Sequence, residues 1–171
     1  TDISGSGLSK RLGSLSLKDL RQDGFEPMAI SSLLSKIGTS DPIDVFKDIT
    51  QIIKEFDINK FGKSKPKFDK SELSNLNSKF FQLMDYEDII NKLKTMDLDI
   101  TKEFWYLIRG NIKILDDVKV WMNVCFGNIQ TKNIDGDFIS LALKLLPQGQ
   151  FNENTWSTWT NLLKIESGKK G

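Results

Sequence analysis

The stretch Asp69-Lys70-Ser71-Glu72-Leu73-Ser74-Asn75-Leu76-Asn77-Ser78-Lys79-Phe80-Phe81-Gln82-Leu83 carries the pattern that decides the fold class. Leu73, Leu76, Phe80 and Leu83 recur at alternating intervals of three and four, the spacing of a single helix face. Asp69 and Glu72 supply the acidic start that complements a helix dipole. The same period continues downstream through Ile89, Ile90, Leu93 and Met96, then Trp105 and Ile108, then Val118, Trp121 and Val124. Phe138, Leu141, Ala142 and Leu145 form another stripe, and Trp156, Trp159 and Leu163 form the last. Asp135-Gly136-Asp137 marks a further acidic helix start.

Upstream, Ser16 is expected to cap a short helix through Leu17 and Leu20 that Gly24 stops. Pro27 suits the first turn of a second helix, with Ile30, Leu33, Leu34 and Ile37 as its stripe and Gly38 as its end. Ser40-Asp41-Pro42 is expected to open a third, with Phe46, Ile49, Ile53 and Phe56 inward and Lys47, Asp48, Gln51, Lys54 and Glu55 on its polar face. Asn59-Lys60-Phe61-Gly62-Lys63-Ser64-Lys65-Pro66-Lys67 breaks the period and reads as a basic connector between two helical parts. Residues 3–14 are small, polar and Gly-rich, the composition of a mobile loop. No stretch sustains strand-like alternation, so no sheet is expected beyond a strand remnant at the N-terminus. No fixed-period repeat is visible. The expected fold class is all-α.

Composition removes many chemistries. The chain has 171 residues, 24 Lys and Arg against 23 Asp and Glu, a net charge of +1 and no histidine. Without histidine there is no Ser-His-Asp triad, no Cys-His pair, no imidazole zinc site and no His proton relay. The one cysteine, Cys125, cannot form an internal disulfide, and its apolar neighbours predict a buried structural thiol. Hydrophobic residues at 39% and charged residues at 27% suit a globular core. At roughly 100–200 residues per domain, one domain or two small ones is expected. No apolar run approaches the ~18 residues of a membrane span. No signal-peptide pattern is present either, which makes a cytoplasmic location the expectation. The chain begins at Thr1 without an initiator methionine and stops in Ser167-Gly168-Lys169-Lys170-Gly171, so it is expected to be a piece of something larger.

Four features could carry function. Gly7-Leu8-Ser9-Lys10-Arg11 combines glycines, which let backbone approach phosphates, with a hydroxyl and two adjacent cations; its alternative is an ordinary solvated loop. Lys60, Lys63, Lys65, Lys67 and Lys70 could track a nucleic-acid backbone, or simply be solvated. Trp105, Trp121, Trp156 and Trp159, with Phe80, Phe81 and Phe104, could stack on unpaired bases, but helical spacing makes core packing their expected role. Asp116-Asp117 and the Asp135/Asp137 pair sit where helices should start, and capping accounts for them; as a metal site they lack a coherent ligand set.

Residues 7–16, Gly7-Leu8-Ser9-Lys10-Arg11-Leu12-Gly13-Ser14-Leu15-Ser16, resemble the Lys-Met-Ser-Lys-Ser signature loop of class I aminoacyl-tRNA synthetases in its bacterial glutamyl-tRNA synthetase form. The likeness continues through Leu20-Arg21, Gly24-Phe25-Glu26-Pro27-Met28-Ala29 and Lys63-Ser64-Lys65-Pro66-Lys67-Phe68-Asp69, then Leu73 and Leu76-Asn77. It is clear over residues 1–80 and looser beyond, where Trp156 and Trp159 near a Gly-Lys-rich loop also resemble the family. The resemblance implies a C-terminal fragment whose Rossmann-type catalytic domain is absent. Residues 1–14 would be the signature loop and the end of that domain, 15–64 a stem-contact subdomain, and 65–171 a helical anticodon-binding bundle with an incomplete C-terminus.

In that family the loop closes over ATP. The resemblance implies that Lys10 stabilises the phosphates while the glutamate carboxylate attacks, that Ser9 and Arg11 shape the loop, and that Gly7, Leu8, Ser9, Lys10 and Arg11 together form the ATP-binding loop. Gly7 stands where the signature has its first lysine, so that lysine's phosphate contact is not carried over. No anticodon-reading residue is carried over either. The implied partners are a glutamate-accepting tRNA, glutamate and ATP, with Mg2+ in the full-length enzyme, no zinc site in this fragment, and a monomeric state. The fragment alone is expected to be inactive. Alternatives are a paralogue that charges glutamine tRNA with glutamate, a free-standing helical RNA-binding module, and a protein-interaction scaffold.

Overall fold

The computed structural model describes Thr1 and residues 16–127 and 135–168, and among these every regular element is helical. The order is α1 (Leu17–Gln22), α2 (Pro27–Lys36), α3 (Ile49–Glu55), a 3-10 turn at Ile58–Lys60, α4 (Lys70–Leu83), α5 (Tyr86–Thr95), α6 (Lys102–Ile108), a second 3-10 turn at Arg109–Asn111, α7 (Asp117–Phe126), α8 (Gly136–Lys144) and α9 (Thr155–Ser167). The all-α expectation holds. The strand remnant foreseen at the N-terminus falls on residues outside the described set apart from Thr1. The chain forms two compact units, Thr1–Gly127 and Asn128–Gly171.

In the first unit α4 is the central helix. Leu73, Leu76, Phe80 and Phe81 face inward and meet Leu20, Phe25, Ala29 and Leu33 on one side and Ile89, Leu93, Trp105, Ile108 and Val118 on the other. Phe81 meets Trp105 edge-on at 6.5 Å. The Trp105 indole N–H donates to the Met84 carbonyl at 3.0 Å, satisfying the polar atom of a fully buried ring. Helices before and after the connector therefore share one core. The boundaries expected at 14/15 and 64/65 divide the chain by role, which packing does not test.

Several starts follow from capping chemistry. Ser16 caps α1, and Asp19 answers through the Ser16 backbone N–H at 2.8 Å. Asp69 accepts from the Ser71 N–H at 2.7 Å at the head of α4. Gly24, at φ +82°, turns the chain out of α1; a Cβ there would stand 3.1 Å from Ile114, so both conformation and space require glycine.

The inward face of α2 differs from the expected one. Ala29, Ser32, Leu33 and Lys36 are buried, whereas Leu34 is exposed. The apolar pattern misplaced the face because two buried positions are polar and satisfied: Ser32 donates to the Met28 carbonyl at 2.7 Å, and the Lys36 ammonium reaches Asp41 and Glu55, each at 3.2 Å.

The third helix also starts later than expected. Pro42 biases Asp41 away from helical backbone. Side chains then take the next backbone donors: Val45 N–H donates to Asp44, Phe46 N–H to the Ser32 hydroxyl and Lys47 N–H to Gln51. Asp48 caps α3, so Ile52 faces inward while Ile53 and Phe56 are exposed.

The second unit consists of α8, capped by Asp135, and α9. Ala142 and Leu163 are its buried apolar side chains, and the Trp159 indole donates to the Ala142 carbonyl at 2.8 Å. Trp156 meets Trp159 edge-on at 5.7 Å but is itself 69% exposed, which corrects its expected place in the core.

Asn77 is fully buried and makes three bonds outside its own helix. It accepts from the Glu26 N–H at 2.7 Å and donates to the carbonyls of Gly24 at 3.3 Å and Lys113 at 2.6 Å. Replacing it with alanine leaves all three backbone groups without that partner, a cost of about 3 kcal/mol. Urea unfolding of Asn77→Ala should show a lower midpoint at unchanged slope; a loss below about 1 kcal/mol would mean that water replaces the carboxamide.

Candidate nucleic-acid interface

Gly7, Leu8, Ser9, Lys10 and Arg11 lie outside the described residues. Their flanks are described. The Thr1 amino-terminal ammonium donates to the Pro66 carbonyl at 2.9 Å, and Phe68 N–H donates to the Thr1 carbonyl at 2.8 Å. Past Ser16, α1 leads to Asp23, which pairs with Lys70 at 2.8 Å. Both flanks of segment 2–15 are thus tied to the connector and to the first turn of α4.

The connector is anchored as well. Gly62 N–H donates to the Gly38 carbonyl at 2.9 Å, and Phe61 packs on Phe56 with ring centres 5.6 Å apart. Its five lysines separate into two groups. Lys60 is neutralised by Asp41 at 2.9 Å, and Lys70 is held by Asp23 and lies 5.8 Å from the Phe25 ring centre. Lys63, Lys65 and Lys67 are exposed and make no ion pair among the described residues. Three ammonium groups within five residues, without an ion-pair partner among the described residues and held on a pinned backbone, form a surface suited to a polyanion.

Asp41 lies between Lys36 and Lys60 and is electrostatically committed. The Lys60 hydrogen bond, followed by that from Lys36, holds its carboxyl below the usual carboxylate range. Glu55 and then Asp41 raise the pKa of the Lys36 ammonium above the ordinary lysine value, against the opposing effect of burial. Lys36 also lies 5.7 Å from the Phe46 ring centre. This buried cation was invisible to a reading of apolar spacing; the two acids at 41 and 55 were its only trace.

The remaining candidates take structural places. Phe80, Phe81, Phe104 and Trp105 are buried, and Trp121 is half-buried. Asp117 reaches back to the backbone N–H groups of Lys113 and Ile114, and Asp116 pairs with Lys119 at 2.7 Å, so neither caps α7 through its side chain as expected. Cys125 is exposed, which overturns the expectation of a buried thiol: it follows buried Val118 by two helical turns on the same face, but the last turn of α7, residues 123–126, is exposed throughout. No cluster of acidic, Cys or His residues able to hold a metal occurs among the described residues. The described surface offers binding chemistry and no set of reacting groups.

The chain is 41% identical over 159 residues to glutamate–tRNA ligase 1 of Wolbachia sp. subsp. Brugia malayi, covering 93% of this chain and 36% of the relative. It is 40% identical over 168 residues to glutamate–tRNA ligase 1 of Maricaulis maris, covering 98% of this chain and 38% of the relative. Along nearly its whole length the chain is similar to part of the glutamate–tRNA ligases.

It spans about two fifths of the length of the curated relatives it matches. No family model matches it. The crystal structure of a glutamate-tRNA synthetase from Elizabethkingia anophelis superposes with a TM-score of 0.61 at 19% identity, over 99% of this chain and 41% of the other. A glutamate–tRNA ligase from Elizabethkingia meningosepticum, crystallised with its amino acid, gives a TM-score of 0.58 at 18% identity over 97% of this chain and 40% of the other. At that identity the likeness concerns fold, and the fold is the helical one described above. No helix among the described residues is long and apolar enough to cross a membrane.

The Asp41 cluster makes a pH prediction. A carboxyl whose pKa is lowered by folding contributes stability above its unfolded value near 4, and that stability is lost as pH falls through the folded value. Stability of the wild type should therefore decline between about pH 5 and pH 2. Asp41→Asn should be less stable at neutral pH and decline less steeply across that window. Urea midpoints measured at several pH values check this; parallel curves for the two proteins would contradict it.

Proposed function

We propose that this chain supplies the tRNA-binding helical part of a glutamate–tRNA ligase together with its ATP-stabilising signature loop. The observation that carries the proposal is identity of about two residues in five to ligases of this name along nearly the whole chain. The free lysines of the connector support it. In this reading residues 1–14 belong to the signature loop and the end of the catalytic domain, 15–64 to the stem-contact part and 65–171 to the anticodon-binding part. The working unit is a cytoplasmic monomer, with tRNA, glutamate and ATP as the ligands of the whole enzyme and Mg2+ accompanying ATP.

The whole enzyme's reaction defines what the loop must do. A glutamate carboxylate oxygen attacks the α-phosphorus of ATP, the bond to pyrophosphate breaks, and the aminoacyl adenylate then passes its acyl group to the 3′ end of tRNA. Negative charge concentrates on the five-coordinate phosphorus and the departing pyrophosphate. The Lys10 ammonium, with Gly7, Leu8, Ser9 and Arg11 shaping the loop around it, stabilises that charge without needing to transfer a proton. A chain lacking histidine can do this.

The connector's role is electrostatic. Each phosphate met by Lys63, Lys65 or Lys67 releases counterions, so tRNA affinity should fall steeply with salt. Titration of the chain with glutamate tRNA and a non-cognate tRNA over a range of salt should show tighter binding of the former. The Lys63→Ala/Lys65→Ala/Lys67→Ala variant should lower the slope of log affinity against log salt by about 2–3. Absence of binding at low salt, or an unchanged slope, would refute this interface.

In the full-length enzyme, Lys10→Ala should slow glutamate-dependent ATP–pyrophosphate exchange by about 10²–10³, the scale for losing one group that stabilises developing transition-state charge. Normal exchange would remove Lys10 from the mechanism.

A further inference from the structure

The ion pairs of the first unit have an uneven distribution. Four lysines join a residue before the connector to one after it, or the reverse. Lys70 at the head of α4 holds Asp23 at 2.8 Å, and Lys79 later in α4 holds Asp44 at 3.7 Å. Lys92 on α5 pairs with Glu26. Lys47, from the segment preceding α3, reaches Asp88 at 3.6 Å and Asp85 at 3.9 Å at the start of α5. Two of these contacts, through Asp23 and Glu26, belong to the turn that the buried carboxamide of Asn77 bonds at Gly24 and Glu26.

We propose that Asp23–Lys70, Glu26–Lys92, Asp44–Lys79 and Lys47 with Asp85 and Asp88 form a charge clamp. The clamp closes the helices before the connector onto those after it, loosens as salt rises, and withholds these four lysines from a polyanionic partner.

Three arguments carry this. First, the segment 37–48 contains no helix, so its ties to α4 and α5 come from side chains: Ile43 and Val45 lie half-buried against the core, flanked by Asp44 and Lys47 in their ion pairs. Second, the pairs are mostly half-exposed, with lysine side chains between 40% and 54% accessible. Each alone is worth little and is readily screened. Their shared action on one boundary gives them weight. Third, Glu26 differs from the other acids: its side chain is only 11% accessible, so loss of Lys92 strands a carboxylate with little water to replace its partner.

The clamp also sorts the cations. A lysine already facing a carboxylate gains little from a phosphate, because the acid must be exposed to the same anion. Lys63, Lys65 and Lys67 face no such acid among the described residues. The inference is independent of the tRNA reading, since closure of the clamp is measured without RNA.

The amide of Glu26 reports closure directly, because it donates across the boundary to Asn77. Residue-resolved hydrogen exchange of the whole chain should show Glu26→Gln and Lys92→Met each speeding exchange of the amide at position 26 by roughly threefold at low salt. The double variant should be no faster than Lys92→Met alone, and Lys92→Arg should match the wild type. Near about 1 M salt, where the Debye length is ~3 Å, the wild type should approach the variants.

A double variant whose effect equals the product of the single effects, or a wild type indifferent to salt, would overturn the clamp. A separate titration with tRNA distinguishes the roles of the lysines. Lys92→Met should leave the salt slope unchanged, whereas loss of about one unit of slope would make Lys92 an RNA ligand and refute its withholding.

Discussion

The carboxamide of Asn77 is the constraint on which the first unit depends. A fully buried polar side chain is tolerated only when its donors and acceptor are matched. Here the match is made with three backbone groups from two distant stretches, Gly24 and Glu26 on one side and Lys113 on the other. Apolar packing of Leu33 near Leu73 or Phe81 against Trp105 supplies attraction but little register. Asn77 supplies register, because its three bonds are satisfied together only when the turn after α1, the middle of α4 and the chain entering α7 are correctly placed. Gly24 fits the same logic: its left-handed conformation delivers the carbonyl that Asn77 meets, and Ile114 occupies the space a side chain would need.

Charge is apportioned around that centre. A net charge of +1 suggests a surface with no electrostatic preference, yet the preference depends on which charges are spent. Lys36 and Lys60 are committed to Asp41, and Lys70 and Lys92 to Asp23 and Glu26. Pairing removes some of the acids and some of the lysines from the long-range field, whereas Lys63, Lys65 and Lys67 of the connector have no ion-pair partner among the described residues and shape the field locally. Near-zero net charge and a local cationic surface are therefore compatible. The arrangement also favours specificity, since a chain that was cationic everywhere would attract any polyanion in any orientation.

Much of the fold was legible because α4 and α5 follow the rule that apolar spacing records: Leu73, Leu76, Phe80, Ile89 and Leu93 are inward as the period requires. Caps at Ser16, Asp69 and Asp135 were equally plain, since a short side chain with an oxygen before an apolar run has a single local use. The failures share a cause. The face of α2 was misread because Ser32 and Lys36 are buried through partners outside the helix, and periodicity records apolarity, not satisfaction. The residues before Asp48 looked helical, but the donors of Val45, Phe46 and Lys47 were taken by side chains, one of them Ser32 from another helix. Trp156 is exposed on α9, and Cys125 lies in the last turn of α7, which is exposed throughout; no local pattern reveals either.

The reading of residues 7–11 as a signature loop rests on likeness and not on physics; those five residues alone fit an ordinary loop. The structure adds the setting of its flanks. Thr1 is bonded to Pro66 and Phe68, and α1 returns to Lys70 through Asp23, so both ends of segment 2–15 attach where the connector becomes α4. A loop between two held flanks has, in general, less closure entropy to lose than one with a free end. A loop whose proposed task is to bring one ammonium to a transient charge gains from that restriction, because less order remains to be imposed when the charge appears. The fold can thus support the loop's proposed chemistry without contributing a reacting group, which fits a chain that has no histidine and in which acids such as Asp41, Asp48 and Asp69 are engaged in ion pairs and caps.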